Sequence, residues 1–474
     1  MLEGLEITEI TFRELLMGND VMRMDADYFS KDALYVVNRL HDMGAVFLAS
    51  LANRITDGIH TSLPFVENGA VKVLSAKHPK KNYIDLGSFE TINAEFHAQN
   101  PRTALCANDV IVSTVGTIGN SAVVTEDVLP ANSDRHIGIV RLKEGISPYF
   151  LSTFLLGKYG KTQTLREATG NVQLNLFISK IEQILVPRFS DYFEETIANT
   201  VKYAYRCRAQ SIEQIEEAET TLLRALHLEN WQAPEPLSYV RNSREAFAAG
   251  RFDAEHFQEG YYALHHILTS LSMGHSIIVN LAANLTNGAE IREYQEIGTP
   301  YLRVSDVKNL TIDGDSVVYV DTSLADEVIE KVRLQVGDVL VSRSGSLAIT
   351  AVVEQEWTNA LISSHLIRMR ITDNAFDPYY VALFLKALPG RMQIIQWSNG
   401  GVQPEISQPS LGRIVIPYIP SEIQTEIRQS IMQSHKVKQR ATHLLESAKR
   451  AVEIAIEQDE AAALDFLRDA SFLS

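Results

Sequence analysis

Asp109-Val-Ile-Val-Ser-Thr-Val-Gly116 and Asp338-Val-Leu-Val-Ser-Arg-Ser-Gly345 are two versions of one segment, 229 residues apart in a chain of 474. Each opens on an acid, runs through three apolar residues that favour strands, and reaches a glycine turn. A short apolar run bounded by turn residues reads as a buried strand. Working outward, more pairs appear in the same order. Arg23-Met-Asp-Ala-Asp-Tyr-Phe29 matches Arg251-Phe-Asp-Ala-Glu-His-Phe257, and Ile55-Thr-Asp-Gly58 matches Leu285-Thr-Asn-Gly288. His136 matches His365, Ser147-Pro-Tyr-Phe150 matches Asp377-Pro-Tyr-Tyr380, and Gly170-Asn-Val-Gln173 matches Gly400-Gly-Val-Gln403. Ile184-Leu-Val-Pro187 matches Ile414-Val-Ile-Pro417, and the offset across the whole series stays between 228 and 230. An ordered series with so little drift is a duplication of a domain-sized unit, far longer than a solenoid repeat.

Each copy opens with a helical stretch, 26–43 and 254–273, followed by short β-rich runs. A helix near 148–158 and its counterpart near 378–388 begin at a proline, a favoured first-turn residue. Each copy closes with a strand ending at Pro187 or Pro417, so the fold class is mixed α/β. A long helix then follows each copy. In the first, Arg208, Ile212, Ile215, Glu219, Leu222 and Leu226 keep a four-three spacing; in the second, Lys438, Ala441, Leu445, Ala448, Val452 and Ala455 do. Such spacing predicts a coiled-coil seam with a polar break. Arg208 and Lys438 are equivalent in the repeat. The first helix is acidic at Glu213, Glu216, Glu217 and Glu219. The second is basic at Lys436, Lys438, Arg440, Lys449 and Arg450, as suits neighbouring helices. About 35 helical residues span roughly 50 Å, which sets the expected separation of the two units.

The formal charge is −16, which argues against a free-standing nucleic-acid binder, because phosphates are neutralised by Lys and Arg. Its distribution changes that reading. Residues 191–235 hold nine acids and four bases, and 453–469 hold six acids and one base, so these two stretches carry −10 of the −16. Residues 45–190 are near neutral, with a basic cluster at Lys72, Lys77, Lys80 and Lys81. Local patches can touch DNA when a partner supplies most phosphate contacts. No apolar run is long enough for a membrane span, and MLEGLEITEI is not a secretory signal. Cys106 and Cys207 form neither a metal-ligand spacing nor a disulfide framework. The compartment expected is the cytoplasm, with both thiols reduced.

Catalytic signatures are missing. There is no phosphate-binding GxxxxGK(S/T) loop, and no HExxH or paired CxxC motif. Asp377-Pro-Tyr-Tyr380 is similar to the acidic-Pro-Pro-aromatic motif of amino-methyltransferases. It lacks the second proline, and its repeat mate Ser147-Pro-Tyr-Phe150 lacks the acid, so both read as helix starts. His136 and His365 lack a duplicated nucleophile or carboxylate at a convincing spacing, so a structural or DNA-contacting role is expected. No catalytic or metal-ligating residue is assigned.

Taken together, these residues resemble the specificity (S) subunit of type I restriction–modification systems, over nearly the whole chain. Asn108-Asp-Val-Ile-Val-Ser-Thr-Val-Gly116 and Gly337-Asp-Val-Leu-Val-Ser-Arg-Ser-Gly345 resemble the family's strand-and-turn signature. Gly170-Asn-Val-Gln-Leu-Asn175 and Gly400-Gly-Val-Gln-Pro-Glu405 resemble its Gly-x-x-Gln segment. Ile416-Pro-Tyr-Ile-Pro420 with Gln424 resembles its proline-rich entry to a spacer helix. Val186-Pro-Arg-Phe189 departs from that entry, lacking the second proline and the glutamine. The resemblance implies two target-recognition domains, 1–189 and 246–420. It places spacer helices at 190–232 and 421–460, paired as an antiparallel coiled coil, with a linker at 233–245. An acidic tail at 461–474 would offer Leu464, Phe466 and Leu467 for docking. It further implies a non-catalytic subunit, without a cofactor of its own, that reads a bipartite double-stranded DNA target. Its partners would be DNA adenine methyltransferase (M) subunits using S-adenosylmethionine and a restriction translocase (R) subunit.

Base-reading candidates are polar and basic residues on turns, where direct readout needs side chains at base edges. In the first unit they are Thr56, Asp57, His60, Lys77, Lys80, Lys81, Thr114, Thr117, Arg135, Asn171 and Gln173. In the second they are Asn287, Arg292, Arg303, Lys308, Arg343, Ser346, His365 and Gln403. The turns differ between units, Lys77-His-Pro-Lys-Lys81 standing opposite Asp306-Val-Lys-Asn309, so different half-sites are expected. Two other classes stay open on the residues alone: a single-chain restriction or methylation enzyme, and a duplicated protein-binding scaffold.

Overall fold

The computed structural model describes residues 8–12, 15, 23–170, 172–308, 310–323, 332–401 and 403–472. The chain divides into two units, Met1–Arg208 with Lys438–Ser474, and Ala209–Val437. The division falls inside both long helices, Asp191–Ala225 and Ser421–Glu457.

Each unit is built around the strand read first in the sequence. In unit 1, Val110–Ser113 is central in an antiparallel four-stranded sheet, between Ile137–Leu142 and Ser121–Val123, with Ala52–Asp57 on the outer edge of Ile137–Leu142. In unit 2, Val339–Ser342 lies between Leu366–Ile371 and Thr350–Val352, and Ala282–Asn287 takes the outer edge. Both central strands are fully buried. Unit 2 gives the reason for an unbroken apolar run. Val339 and Val341 face a core holding Tyr380, Phe384 and Leu222, while Leu340 faces a second core holding Tyr301, Val320 and Leu361. A strand sandwiched between two cores has no polar face to display. Truncating Leu340 to alanine there costs about 2–5 kcal/mol.

The acids that open these strands are repeated as ion pairs. Asp109 accepts from Arg141 Nε and Nη2 at 2.8 and 2.7 Å, and Asp338 accepts from Arg370 at 2.8 and 2.8 Å. Each carboxylate also caps a turn, from Cys106 N–H and Gln335 N–H. The N-terminal repeat element is another shared clamp. Arg23 holds Asp25 and the carbonyls of Arg166 and Ala168, and Arg251 holds Asp253 and the carbonyls of Gln396 and Ser398.

A three-stranded sheet of Glu90–Ile92, Val71–Leu74 and Ala131–Ser133 adds to unit 1, and Val318–Val320, Thr299–Leu302 and Leu361–Ile362 form its equivalent in unit 2. In both, the second pairing is parallel. Helices Pro148–Leu156 and Pro378–Lys386 start as expected, Ser147 capping Phe150 N–H and Asp377 capping Tyr379 N–H. Asp377 also pairs with Arg428 at 2.8 Å, so its carboxylate serves the helix start.

Within unit 2 the two long helices run antiparallel. Ser211 meets Ser434 and Thr221 meets Glu426, one sequence rising as the other falls. The first helix buries Ser211, Ile215, Ala218 and Leu222. The expected register is corrected at two places: Ile212 is 54% exposed, and Glu219 is half-buried and pairs with Lys386. At these two places the stripe sits one position earlier, on the small side chains of Ser211 and Ala218, which let the backbones approach while the apolar Ile212 is left outside, and Ile215 and Leu222 keep their expected places. The second-helix positions Ala441, Leu445, Ala448, Val452 and Ala455 are buried as expected, and Lys438 is half-buried. The acidic C-terminal segment forms a helix, Glu460–Phe472, with Ala463, Leu467 and Ala470 buried. Leu467 is therefore a packing residue of unit 1. In the same unit, Arg39 donates to the Ile456 carbonyl at 3.0 Å and Glu453 accepts from Lys158 N–H at 2.8 Å, fixing the end of the second long helix.

Candidate nucleic-acid interface

Beyond the central strand, four loops of each unit are stitched together by backbone hydrogen bonds. In unit 1, Thr114 N–H donates to the His136 carbonyl (3.0 Å) and Leu176 N–H to the Thr114 carbonyl (2.9 Å). Thr169 and Asn175 exchange two bonds of 2.9 and 2.7 Å, closing a hairpin with Gly170 and Gln173 at its tip. In unit 2, Arg343 N–H donates to the His365 carbonyl and Ile406 N–H to the Arg343 carbonyl, both at 2.8 Å. Asn399 and Glu405 close the matching hairpin at 2.8 and 2.7 Å. The fourth loop joins through Ile59 N–H to Ser133 and Ala289 N–H to Ile362. Gly58 and Gly288 permit that approach: a Cβ on either would stand 2.0 Å from a carbonyl oxygen, of Asp134 or Ile362. The same framework thus presents two different sets of side chains.

In unit 1 the apex carries Asp57, which accepts from His60 Nε2 (2.5 Å) and Arg102 Nη1 (3.2 Å). Burial pushes the Asp57 carboxyl upward, but the hydrogen bonds from His60 and Arg102 outweigh it and hold the pKa below the usual range. His136 is oriented by Asp134, which accepts from Nδ1 at 3.1 Å, and Arg135 and Thr117 are exposed. The lysine loop is tied to this apex, since Ser113 Oγ donates to the Ala76 carbonyl (3.0 Å) and Asn120 Nδ2 to the Pro79 carbonyl (3.4 Å). Buried His78 is its pin. Its Nδ1 accepts from Ser75 N–H at 2.7 Å and its Nε2 donates to the Ser88 carbonyl at 3.0 Å. Burial lowers the pKa of His78, so it holds the loop as a neutral ring. Lys77 and Lys80 flank a hollow of about 190 Å³.

Unit 2 gathers its candidates around a cleft of about 430 Å³, lined by Arg292, Arg303, Ser346, His365 and Gln403, with Tyr294 on its wall. The four candidate cations of unit 2 each have a carboxylate partner: Arg292 with Glu290, Arg303 with Asp306, Lys308 with Asp313 and Arg343 with Glu405. Ser344 Oγ lies 2.6 Å from His365 Nδ1. Unit 1 has Val115 at the matching place, so this Ser–His contact is not duplicated, and it reads as a bond that fixes the ring.

Thr56 and Thr114 are buried, Thr56 accepting from Arg102. Asn287 has a buried Oδ1 with no hydrogen-bond partner among the described residues. Gln173 and Gln403 are exposed at the hairpin tips, and Asn171 lies outside the described residues. Sequence reading missed Arg102, brought to Asp57 from a distant segment, and an exposed aromatic in each unit. Val66 N–H bonds to Thr91 O as Gln295 N–H bonds to Tyr319 O, which makes Phe65 and Tyr294 equivalent. They are 51% and 49% exposed. Alignment of their flanking strands would have found them.

Among the described residues no group of three His, Cys, Asp or Glu side chains could hold a metal ion, and no helix is long and apolar enough to cross a membrane.

No protein-family model matches the chain, and no curated protein matches it. Among solved structures, the chain is similar to the S subunit of a type I restriction–modification system from M. genitalium, with 14% identity, 88% of this chain and 95% of that chain covered, and a TM-score of 0.40. It is similar to the HsdS subunit from Thermoanaerobacter tengcongensis, with 15% identity, 90% and 95% coverage, and a TM-score of 0.27. A third similar structure, from work on complex assembly and conformational transition of the type I R-M system, has 16% identity, 89% and 96% coverage, and a TM-score of 0.27.

Proposed function

We propose that this chain is the DNA-recognition subunit of a type I restriction–modification system. Each unit reads one half of a bipartite target. The chain itself supplies no bond-making chemistry and directs an adenine methyltransferase, and a restriction subunit, to the site in the cytoplasm. One observation carries this reading: the four-loop apex is built twice with the same backbone bonds and two unlike sets of polar side chains. A scaffold kept for stability would repeat its core, which this chain does, but has no reason to vary hydrogen-bonding groups on a fixed frame. Direct readout requires that variation. The acidic total fits a subunit whose partner supplies most phosphate neutralisation. The long helices, antiparallel where they meet in unit 2, suit a spacer that sets the gap between half-sites.

The test is selection from randomised duplex DNA, using the full chain purified with the subunits that accompany it in its own cell. Two short sequence blocks separated by a fixed unspecified gap are expected, with adenine methylation confined to those sites. Enrichment of no sequence, or of one uninterrupted block, would overturn the proposal. Methyl transfer by the chain alone, with labelled S-adenosylmethionine, would show instead a self-contained enzyme.

A further inference from the structure

We infer that Arg343, positioned by Glu405, reads a guanine in the half-site of unit 2, and that unit 1 has no counterpart to this contact. The inference rests on the DNA-recognition reading of the apex and adds the base and the residues that specify it.

Both members of the pair stand on fixed backbone. Arg343 is held through its N–H by His365 and through its carbonyl by Ile406, each at 2.8 Å. Glu405 sits at the closing pair of the hairpin, bonded twice to Asn399. The Glu405 carboxylate accepts from Nη2 of Arg343, while Nη1 lies 3.4 Å from the Ser364 carbonyl. The guanidinium is therefore pointed before any ligand arrives, and less side-chain entropy is lost on binding. The pair is partly exposed, 30% for Arg343 and 44% for Glu405, and exposed pairs add little to stability. Its neighbours Ser344, Ser364, His365 and Gln403 line the cleft, so the fork stands at the rim of the candidate site.

The chemistry selects the ligand. A carboxylate beside the cation repels a phosphate, so Arg343 is poorly suited to backbone contact. A planar fork with donors left over matches guanine O6 and N7, and the adjacent carboxylate oxygen can accept from cytosine N4. The equivalents in unit 1 are Thr114 and Asn175. Thr114 is buried, and Asn175 Nδ2 turns back to the Gln173 carbonyl at 3.0 Å. Neither presents a fork.

The experiment repeats the randomised-duplex selection with Arg343→Ala, Arg343→Lys and Glu405→Gln, each checked for an unchanged thermal midpoint. Wild type should require a guanine at one position of one block. Arg343→Ala and Arg343→Lys should lower that preference about 5- to 150-fold, the range for one bidentate base contact, and leave the other block unchanged. Glu405→Gln should weaken the preference while binding to random duplex tightens and becomes more salt-dependent. A uniform loss across sequences in Arg343→Ala would make the residue a phosphate contact, and an unchanged preference would make the pair structural. Either overturns the inference while the DNA-recognition reading survives. A wild type that selects no sequence overturns both.

Discussion

Gln163 hydrogen-bonds to both backbone groups of Leu185: its Nε2 donates to the carbonyl at 3.0 Å and its Oε1 accepts from the N–H at 2.8 Å. Gln393 does the same to Val415, at 3.0 and 2.9 Å. All four polar groups of each clamp are buried, where an unmade bond costs more than a made one gains. Gln163→Met should therefore destabilise unit 1 by about 2–3 kcal/mol, as two backbone groups of Leu185 lose their partners. The shift in urea midpoint measures this, and hydrogen exchange at Leu185 localises it. An unshifted midpoint would mean that water replaces the amide.

The Lys77 and Lys80 side chains belong to a loop that His78 braces internally, through Ser75 and Ser88, and that Ser113 and Asn120 tie to the apex of unit 1. On the proposed DNA-recognition reading, they would neutralise phosphates rather than read bases. Lys80→Gln should weaken binding about equally for all sequences. The plot of log affinity against log salt should become shallower by about 0.9, one counterion per phosphate. Filter binding at four salt concentrations tests this. A changed sequence preference at constant slope would place Lys80 on a base instead.

The sequence made the duplication legible because Asp109, Gly58 and Pro148 each have a mate at an offset of 229 or 230, and local patterning fixes strands and helix starts. It did not reveal the apex. That structure depends on backbone bonds between segments far apart, such as Thr114 with His136 and Leu176, which leave no periodic trace. Arg102 escaped notice for the same reason, since its partner Asp57 is 45 residues away. The helix register departs from the sequence pattern at Ile212, because hydrophobicity alone predicts that side chain inside. Close helix approach there is set by small size, through Ser211 and Ala218. Gln163 and Gln393, polar yet buried, are also invisible to a hydrophobic pattern.

The N-terminal clamps of the two units should respond differently to acid. In unit 2, buried His256 donates from Nδ1 to the Gln396 carbonyl at 2.7 Å, and burial is the main cause holding its pKa below 6.5. The unfolded chain takes up that proton first, so stability is intact above about pH 6.5 and falls as pH drops from there toward the folded-state pKa. Asp253 adds a second window. The hydrogen bond from Arg251 holds it at about 2, from an ordinary 3.8, so its contribution is full above 3.8 and is lost as pH falls through about 2. Unit 1 has Tyr28 in place of His256, under the Arg166 guanidinium at 3.7 Å, and burial raises its pKa. Hydrogen exchange at pH 7 and pH 5.5 should show protection falling at 251–257 more than at 23–29. His256→Asn should flatten the difference. Equal loss in the two segments would sink the idea.

The helix pair in unit 2 contains a buried polar layer. Ser434 Oγ donates to the Ser211 carbonyl at 2.7 Å, which leaves Ser211 Oγ to donate to Ser434 Oγ at 2.9 Å. The repeat-equivalent positions, Ala204 and Ala441, are buried alanines, so the fold accommodates either chemistry in this layer. Ser434→Ala removes the acceptor of the Ser211 hydroxyl and should cost about 1 kcal/mol. Ser211→Ala keeps the bond to the carbonyl and should cost less. The double substitution creates the alanine layer already tolerated in unit 1. It removes both hydroxyls together, so it should be nearly neutral, because no buried polar side chain is left unpaired. Denaturant midpoints for the four proteins give the coupling energy directly. A polar layer of this kind can also fix helix register. If the double variant recovers stability yet the selected DNA blocks become variably spaced, the serines serve register rather than stability. If stability falls further in the double variant than the two single losses together, the serine layer is a net source of stability and the alanine comparison fails.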